Sequence, residues 1–339
     1  MLILTIESTC DETAAAVVSD RLEVLGAVVA SQEKLHEKFS GVVPEIAARA
    51  HVERILPVID ETLRKAGVKL GDLDAVAVAN MPGLAGSLLV GLIAAKSICL
   101  AQSIPLIAIN HLHAHVYACQ FESEESVFPC LGFIVSGGHT SLYRCASPLD
   151  FELIGGTIDD AAGEAFDKVA SMLRLGFPGG PRISKLAQKG NPAVYQFPRS
   201  FIHDRDRFQF SFSGLKTSVR YLITDHGAYD LNQVQLDEAK VADICASFET
   251  AVVDCLVAKA FQALEHTKLD RLCVGGGVAA NRLFRDRLAA EASRRSVKLH
   301  IASPHLCTDN AVMGAIAIER YRAGLFESLD LDILPGLVR

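Results

Sequence analysis

The chain begins with three short apolar runs separated by polar turns. The runs at Leu2–Glu7, Ala14–Ser19 and Leu22–Ala30 have the length and the apolar content of β-strands. Connections of only a few residues usually join neighbouring strands that run in opposite directions. The pattern therefore predicts an antiparallel meander.

Strand-like and helix-like patterns then alternate. A helix is expected from Gly41–Glu45 through Leu63, because Pro44 suits the first turn of a helix. A buried strand, a helix and a second buried strand follow at Ala75–Ala79, Leu84–Ala101 and Pro105–Ile109. This alternation predicts an α/β architecture.

The stretch Ala75–Ala95 carries no charge over 21 residues and is long enough to span a bilayer. However, Asn80-Met81-Pro82-Gly83 interrupts it, and Lys96 follows directly. We therefore expect a strand, a turn and a buried helix, and no membrane span. Met1–Ile6 has no basic segment before its apolar run, so it predicts a first strand and not a signal peptide.

The opening pattern recurs in the second half of the chain. Strands at Cys130–Ser136 and Thr140–Cys145 flank Gly137-Gly138-His139, and Phe151–Gly155 follows as a third strand. The recurrence predicts a duplicated topology, with a boundary near the polar residues 122–126. The remaining predicted elements are helices at Ala161–Leu173, Pro181–Lys189, Ser213–Thr224 and Leu236–His266, strands at Arg271–Val274 and Val297–Ala302, a helix that contains Asn281, and a long helix from Thr308 to about Arg322.

Composition narrows the class of protein. With 339 residues, half of them hydrophobic, the chain suits two domains or one large split fold. A net charge of −7 argues against a general nucleic-acid binder, so any such contact needs a local basic patch. Nine cysteines, an odd number, occur without a Cys-x-x-Cys pair, which indicates reduced thiols in a cytosolic compartment.

One segment has the opposite charge from the whole chain. Residues 181–220 hold eight basic residues against two acidic ones, a local balance of +6, and Phe201, Phe208, Phe210 and Phe212 are interleaved with them. Such a segment could hold phosphates and stack bases. The alternative is a solvated loop whose phenylalanines belong to the core, and it is favoured for at least half of these residues.

A histidine pair is the first candidate for chemistry. On a helix that starts near Asn110, His111 and His115 lie one turn apart and project from one face, whereas His113 points elsewhere. This spacing offers two imidazoles to one metal ion, although an isolated pair of this kind is more often structural. The best candidate for a third ligand is Asp309. Leu112 stands where a His-Glu-x-x-His peptidase needs its glutamate, which excludes that class.

Three loops can bring backbone N–H groups to an anion: Ser8–Thr13, Gly137-Gly138 and Gly275-Gly276-Gly277. Each is common by itself, but two of them occupy equivalent points of the repeated halves, which favours a nucleotide cleft. None matches a P-loop, and the triple glycine lacks the spacing of a dinucleotide fingerprint.

The stretch Asp159–Lys168 is rich in acidic residues. On a helix Asp160, Glu164 and Asp167 would share one face. That face is either a solvated acidic surface, or one of its carboxylates accepts hydrogen bonds from ribose hydroxyls or another polar group of the substrate.

Taken together, these segments resemble the TsaD family, the tRNA N6-adenosine threonylcarbamoyltransferases. The resemblance extends in order along nearly the whole chain. It rests on Ile6–Thr13, Gly41–Glu45, His111 with His115, Val135–Thr140, Asp159–Lys168, Pro178–Pro181, Phe210–Thr217, Gly276–Asn281 and Cys307–Asn310.

The resemblance implies an actin-like ATPase (ASKHA) fold, with two duplicated α/β lobes around a nucleotide cleft. The expected N-terminal lobe is 1–121, completed by a C-terminal helix at 308–339, and the expected C-terminal lobe is 127–307. The implied reaction transfers a threonylcarbamoyl group from threonylcarbamoyl-AMP to N6 of the adenosine 3′ of the anticodon, in tRNAs that read codons starting with A. ATP or ADP is an alternative occupant of the cleft.

The resemblance also implies site residues. His111, His115 and Asp309 would bind one divalent ion, iron or zinc. The substrate site would be lined by Val135, Ser136, Gly137, Gly138, His139, Asp167, Gly180 and Asn281. Ser184 would join them, at a position where many relatives carry an aspartate that touches the substrate. Asp11 or Glu12 could take the proton of the attacking amine.

Implied partners are tRNA, a TsaB-like paralogue and a TsaE-like ATPase, with a TsaC-type enzyme supplying the adenylate in the cytoplasm. The alternative function is an ATP-dependent phosphotransferase or ATPase of the same fold, which would not need the histidine pair. A non-catalytic scaffold is a third class, and retention of every implied metal ligand counts against it.

Overall fold

The computed structural model describes residues 1–225, 227, 230, 234 and 236–336. Ten strands are assigned in this part of the chain. They are β1 (Leu2–Glu7), β2 (Glu12–Ser19), β3 (Val24–Ser31), β4 (Ala75–Met81), β5 (Leu106–Asn110), β6 (Cys130–Val135), β7 (Thr140–Ser147), β8 (Asp150–Gly156), β9 (Arg271–Gly275) and β10 (Lys298–Ile301).

Eleven α-helices are assigned among the same residues. They are α1 (Glu33–His36), α2 (Pro44–Ala66), α3 (Ala85–Gln102), α4 (His111–Tyr117), α5 (Ala162–Met172), α6 (Gly179–Ala187), α7 (Ser213–Thr224), α8 (Glu238–Thr267), α9 (Arg282–Arg295), α10 (Pro304–Cys307) and α11 (Ala317–Arg322). Short 3-10 helices occur at Glu37–Phe39, Leu70–Asp72, Ala118–Glu122, Gly277–Ala280 and Val312–Ile316.

The strands form two five-stranded sheets with the same order. The first sheet runs β3-β2-β1-β4-β5 and the second runs β8-β7-β6-β9-β10. In both sheets the first hairpin is antiparallel, whereas the later strands are parallel to the central one. The predicted α/β class, the first meander and the duplicated topology are confirmed.

The chain divides into two compact units. Unit 1 comprises Met1–Ser126, Ser147–Phe151 and the described residues from Thr308 onward, and unit 2 comprises Val127–Ala146 and Glu152–Cys307.

The core of unit 1 lies between its sheet and two long helices. Leu4 of β1 and Val76 of β4 belong to the same apolar cluster as Ile59 of α2 and Leu92 of α3. Strands that are covered in this way read as continuous apolar runs. This explains why β1 and β4 are recognisable in the sequence.

The uncharged stretch folds as the predicted strand, turn and helix, β4 and α3. By length and composition, α3 is the one described helix that could cross a membrane, and 39% of it is buried. The core helix of a soluble protein passes the same test. Leu89, Ile93 and Leu100 are its exposed large apolar side chains.

Four predictions about secondary structure are wrong in detail. The long helix expected from Thr308 is absent, because a bend at Thr308-Asp309, a 3-10 helix and the short α11 follow one another there. The C-terminal helix expected at 308–339 is therefore also wrong within the described residues, and 337–339 lie outside them. Asn281 is the N-cap of α9 and not part of a helix. Asp160 precedes α5, so it shares no helix face with Glu164.

Candidate active site

The histidine pair is positioned by the junction of β5 and α4. Asn110 ends β5, and its side-chain Oδ1 accepts hydrogen bonds from Leu112 N at 2.9 Å and His113 N at 3.3 Å. This N-cap sets the start of the helix at His111. His111 and His115 then lie one turn apart, with ring centroids 4.7 Å from each other.

Asp309 approaches both imidazoles. Its Oδ1 lies 3.5 Å from Nε2 of His111 and 3.2 Å from Nε2 of His115. One ligand atom from each of the three residues lies within 4.8 Å of the others. His113 stacks on Phe151 at 4.0 Å between ring centroids, as expected for a residue that points away. The structure thus brings together the three side chains singled out as metal ligands.

Glu7 is a fourth member of this cluster that the sequence reasoning missed. Its side chain lies at the end of β1, and Oε2 is 3.0 Å from Nδ1 of His111. Its other oxygen accepts a hydrogen bond from Thr9 N at 2.7 Å. Because a carboxylate can only accept, the Nδ1–H of His111 donates to Glu7, and the Nε2 atom of His111 faces Asp309. The sequence signal that could have identified Glu7 is its position as an acidic residue at the end of a buried strand.

The cluster has an excess of negative charge. Burial opposes the charged form of His111, but Glu7 and Asp309 outweigh it and raise its pKa to about 9. His115 is fully buried, and no described residue hydrogen-bonds its Nδ1. Two imidazole nitrogens that converge on a carboxylate oxygen are a donor set for zinc or iron. The residues present therefore fit a divalent metal ion.

The two candidate proton acceptors lie at the end of the loop after β1 and at the first residue of β2. Asp11 and Glu12 are adjacent, and both are half-buried. Burial and the negative charges of Asp11 and Asp309 raise the pKa of Glu12 to about 10.

A buried histidine holds this loop in place. Nε2 of His51 lies 3.0 Å from the carbonyl oxygen of Cys10, and its Nδ1 lies 2.8 Å from Oγ1 of Thr13. Nε2–H therefore donates to Cys10, while Nδ1 accepts from the Thr13 hydroxyl. Ser87 Oγ donates to the same Cys10 carbonyl at 3.2 Å.

In unit 2, the turn after β6 leaves glycine backbone uncovered. Ser136 N donates to the His139 carbonyl at 2.8 Å, and His139 N donates to Ser136 Oγ at 3.1 Å. These bonds tie the two ends of the turn together. A Cβ atom at Gly137 or Gly138 would meet nothing within 4 Å, so this backbone faces open space.

The loop after β9 packs against the end of β6. Gly276 has a φ of +95°, and a Cβ there would lie 2.5 Å from the Val135 carbonyl oxygen. Only glycine fits both restrictions. The next residue, Gly277, again faces open space.

The acidic helix α5 and the start of α6 adjoin the same loops. Gly163 N donates to the Ser136 carbonyl at 3.2 Å, and Gly179 N donates to Asp167 Oδ1 at 2.7 Å. A Cβ at Gly180 would meet nothing within 4 Å. The structure therefore gathers the predicted substrate residues of unit 2 on adjoining segments, several of them with open backbone.

Ser184 and Asn281 meet around a third residue, Glu249 of α8. Asn281 Nδ2 lies 2.9 Å from Ser184 Oγ and 2.7 Å from Glu249 Oε1. Ser184 Oγ donates to the same Oε1 at 2.6 Å. Sequence reasoning missed Glu249, because nothing in the apolar surroundings of α8 marks it.

Comparison with known proteins decides the family. Residues 23–316 match the family described as TsaD, tRNA N6-adenosine threonylcarbamoyltransferase. A protein of that name from Rhodopirellula baltica is 58% identical over 349 residues, covering 100% of this chain and 97% of that protein. The chain belongs to the TsaD family. A relative with the same name in Syntrophobacter fumaroxidans is 48% identical over 335 residues, with 98% of each chain covered.

Solved structures show the fold of this TsaD family member. Full-length HypF, in a phosphate- and nucleotide-bound form, matches with a TM-score of 0.61 at 15% identity, over 96% of this chain and 47% of that one. The activator of 2-hydroxyisocaproyl-CoA dehydratase from Clostridium difficile, with bound ADPNP, matches with a TM-score of 0.54 at 12% identity, over 97% and 99%. The predicted actin-like ATPase fold is confirmed.

The acidic stretch of this TsaD sequence is mostly internal structure. Asp160 Oδ1 lies 2.6 Å from Lys168 Nζ, and its Oδ2 lies 2.7 Å from Lys216 Nζ. Burial opposes ionisation of Asp160, but both lysines outweigh it and lower its pKa. Lys168 also contacts Glu164 at 2.7 Å. Of the three acids expected on one helix face, Asp160 and Glu164 thus form ion pairs with lysines.

The basic segment is also partly internal. Arg199 pairs with Asp254 at 2.8 Å, and Lys216 pairs with Asp160. The Phe210 and Phe212 side chains are buried. This agrees with the alternative interpretation, in which phenylalanines of this segment belong to the core and do not stack on bases. The exposed basic residues of the segment are Lys185, Lys189, Arg205 and Arg220.

Proposed function

We propose that this protein transfers a threonylcarbamoyl group from threonylcarbamoyl-AMP to N6 of the adenosine 3′ of the anticodon, in tRNAs that read codons starting with A. The observation that carries the proposal is 58% identity, over the whole chain, to a protein named for this transfer. The cluster of His111, His115 and Asp309 and the open glycine backbone of unit 2 support it.

The metal site is part of this proposal. His111, His115 and Asp309 would hold one divalent ion, iron or zinc, and Glu7 would keep His111 in the tautomer that binds it. Such an ion, when bound, acts as a Lewis acid toward an oxygen of the substrate.

The protein's own groups would bind and orient the donor. Backbone N–H groups of Gly137 and Gly138 suit a phosphate or an oxygen on which charge develops. Val135, Ser136, His139, Asp167, Gly180, Ser184 and Asn281 complete the proposed substrate site. An aromatic amine is a weak nucleophile, so positioning should supply much of the rate.

The proton of the amine needs an acceptor. N6 attacks the carbamoyl carbon, AMP leaves, and the proton of N6 passes to a base for which Asp11 and Glu12 are the candidates. Burial and the negative charges of Asp11 and Asp309 raise the pKa of Glu12. Asp11 and Glu12 are both candidates for the acceptor, and replacing each of them singly tests the assignment.

The proposed lobes are 1–121 with 308–339, and 127–307. ATP or ADP is a second proposed occupant of the adenylate site. The proposed partners are tRNA, a TsaB-like paralogue and a TsaE-like ATPase, with adenylate from a TsaC-type enzyme. The proposed location is the cytoplasm.

A reconstituted transfer assay tests this function. Threonine, bicarbonate, ATP, a TsaC-type enzyme and tRNA are combined with the protein, with and without its proposed partners. Threonylcarbamoyladenosine in digested tRNA is the expected product. ATP hydrolysis or phosphate transfer without that product, even with the partners, would instead favour a phosphotransferase of the same fold.

A further inference from the structure

Glu249 is a buried acid in the middle of the proposed substrate site. Its relative exposure is 6%. Other buried acids have cationic or ring-nitrogen partners: Asp160 has two lysines, and Glu7 has His111. Glu249 has no ion pair among the described residues, and both of its hydrogen-bond donors are neutral. Such a carboxylate is costly to bury unless a further donor completes its bonding.

One oxygen of Glu249 is available for that donor. Ser184 and Asn281 both donate to Oε1, and no described residue donates to Oε2. Oε2 is not among the fully buried side-chain atoms that lack a hydrogen-bond partner in the described chain. Oε2 is therefore in part accessible to solvent. A carboxylate oxygen has room for two donors. Oε2 is therefore a vacant acceptor that remains accessible.

The carboxylate lies beside the open glycine backbone. Ser184 follows Gly180 by one turn of α6, so both lie on one face of that helix. Asn281 directly follows the 3-10 helix that begins at Gly277. Glu249 contacts both Ser184 and Asn281, so it links the segment that carries Gly180 to the segment that carries Gly277.

Asn281 has no donor hydrogen left for a ligand at this point. Its two Nδ2 hydrogens are directed at Ser184 and Glu249, and its Oδ1 accepts from Phe284 N at 2.9 Å. A primary amide has only two donor hydrogens. Asn281 therefore acts through Glu249, which it orients.

We propose that Glu249 is a specificity-determining residue of this site and that its Oε2 binds a ribose hydroxyl of the adenylate. A carboxylate repels a phosphate, so it must face an uncharged part of the ligand that carries donors. The ribose hydroxyls of a nucleotide meet this requirement. The inference rests on the proposed function, because it assumes that an adenylate occupies this part of unit 2.

Binding of AMP and its deoxy analogues to the full-length protein tests the inference by calorimetry. The wild type should bind AMP at least about fivefold more tightly than 2′-deoxy-AMP or 3′-deoxy-AMP. Glu249→Gln should weaken AMP binding about tenfold and remove the difference between the nucleotides, because a hydrogen bond to a charged acceptor is lost. Asp254→Asn, also on α8, removes a carboxylate outside the site and should retain both properties.

Other outcomes of this experiment would contradict the proposed role of Glu249. If Glu249→Gln keeps the wild-type preference for the hydroxyl, or lowers binding of all three nucleotides equally, Glu249 only supports the fold and the inference is wrong. If Glu249→Gln does not fold, Glu249→Asp replaces it in the test: the shorter side chain withdraws the carboxylate from the ribose, so the preference for the hydroxyl should fall. An unchanged preference in Glu249→Asp would then contradict the role of Glu249. No AMP binding by the wild type would overturn the proposed nucleotide site and this inference together.

Discussion

The two nitrogens of His111 have different tasks. Nδ1 contacts Glu7, and Nε2 faces Asp309 and His115. The spacing of His111 and His115 could be recognised in the sequence because helix periodicity is local. Glu7 and Glu249 could not, since each acts through contacts with residues far away in the chain, and no local pattern encodes such contacts.

Glu7→Gln tests the positioning of His111. The amide can donate a hydrogen bond as well as accept one, so it no longer fixes the tautomer with Nε2 unprotonated. We expect zinc affinity, measured by competition with a chelator, to fall about 10- to 100-fold, as for other partners of metal-bound histidines. Glu53→Gln, at an exposed position of α2, is the control. Equal affinity in Glu7→Gln and the wild type would contradict the role.

Burial of His113 makes the stability of the folded protein depend on pH. Burial, assisted by Arg320, lowers the pKa of His113 to about 4. The unfolded chain takes up this proton at about pH 6.5, while the folded chain does not until about pH 4. This contribution to stability is therefore complete above pH 6.5 and is lost as the pH falls from 6.5 toward 4.

His113→Phe removes the titrating group and can keep the stack on Phe151. Urea unfolding at pH 7.5 and pH 5 should show a smaller loss of stability in this variant than in the wild type, by at least about 1 kcal/mol. His305→Gln, at an exposed position, should behave like the wild type. An unchanged pH dependence in His113→Phe would show that burial of this imidazole does not contribute.

Strands and helices with a regular apolar pattern were predicted correctly from the sequence, whereas irregular segments were not. The strands β1, β4 and β6 are mostly apolar because nearly all of their residues are buried. The segment after Asp309 is equally apolar, yet it forms a 3-10 helix at Val312–Ile316. A Cβ at Gly314 would lie 2.9 Å from Thr5 Cβ, so close packing on β1 determines the local path. Packing of this kind overrides local helix propensity.

The adjacent glycines after β9 provide a matched pair. Gly276→Ala would place a Cβ against the Val135 carbonyl at a positive φ, so it should lower the free energy of unfolding by about 1–3 kcal/mol. Gly277→Ala meets no protein atom, so stability should change by less than about 0.5 kcal/mol. Its methyl group would occupy the open space, and AMP binding should weaken. Urea unfolding and calorimetry measure the two effects. The reverse pattern would contradict the assignment of Gly277 to a ligand surface.

For the whole molecule, family membership and fold were accessible from the sequence because the motifs recur in order along the chain. The same five-strand order in both sheets shows why the loops after β1 and β6, Ser8–Thr13 and Gly137-Gly138, occupy equivalent points. The proposed function needs the metal cluster of unit 1 and the glycine loops of unit 2 in one reaction. Variants in either unit should therefore abolish the same product.

Threonylcarbamoyladenosine formation by Asp309→Ala, beside bound metal determined on the same sample, tests this account most directly. Loss of the ligand should lower metal content and reduce the transfer rate at least about 100-fold, while His113→Phe should retain both. Product formation by Asp309→Ala at the wild-type rate, or wild-type metal content with the histidine pair replaced by alanine, would contradict the account.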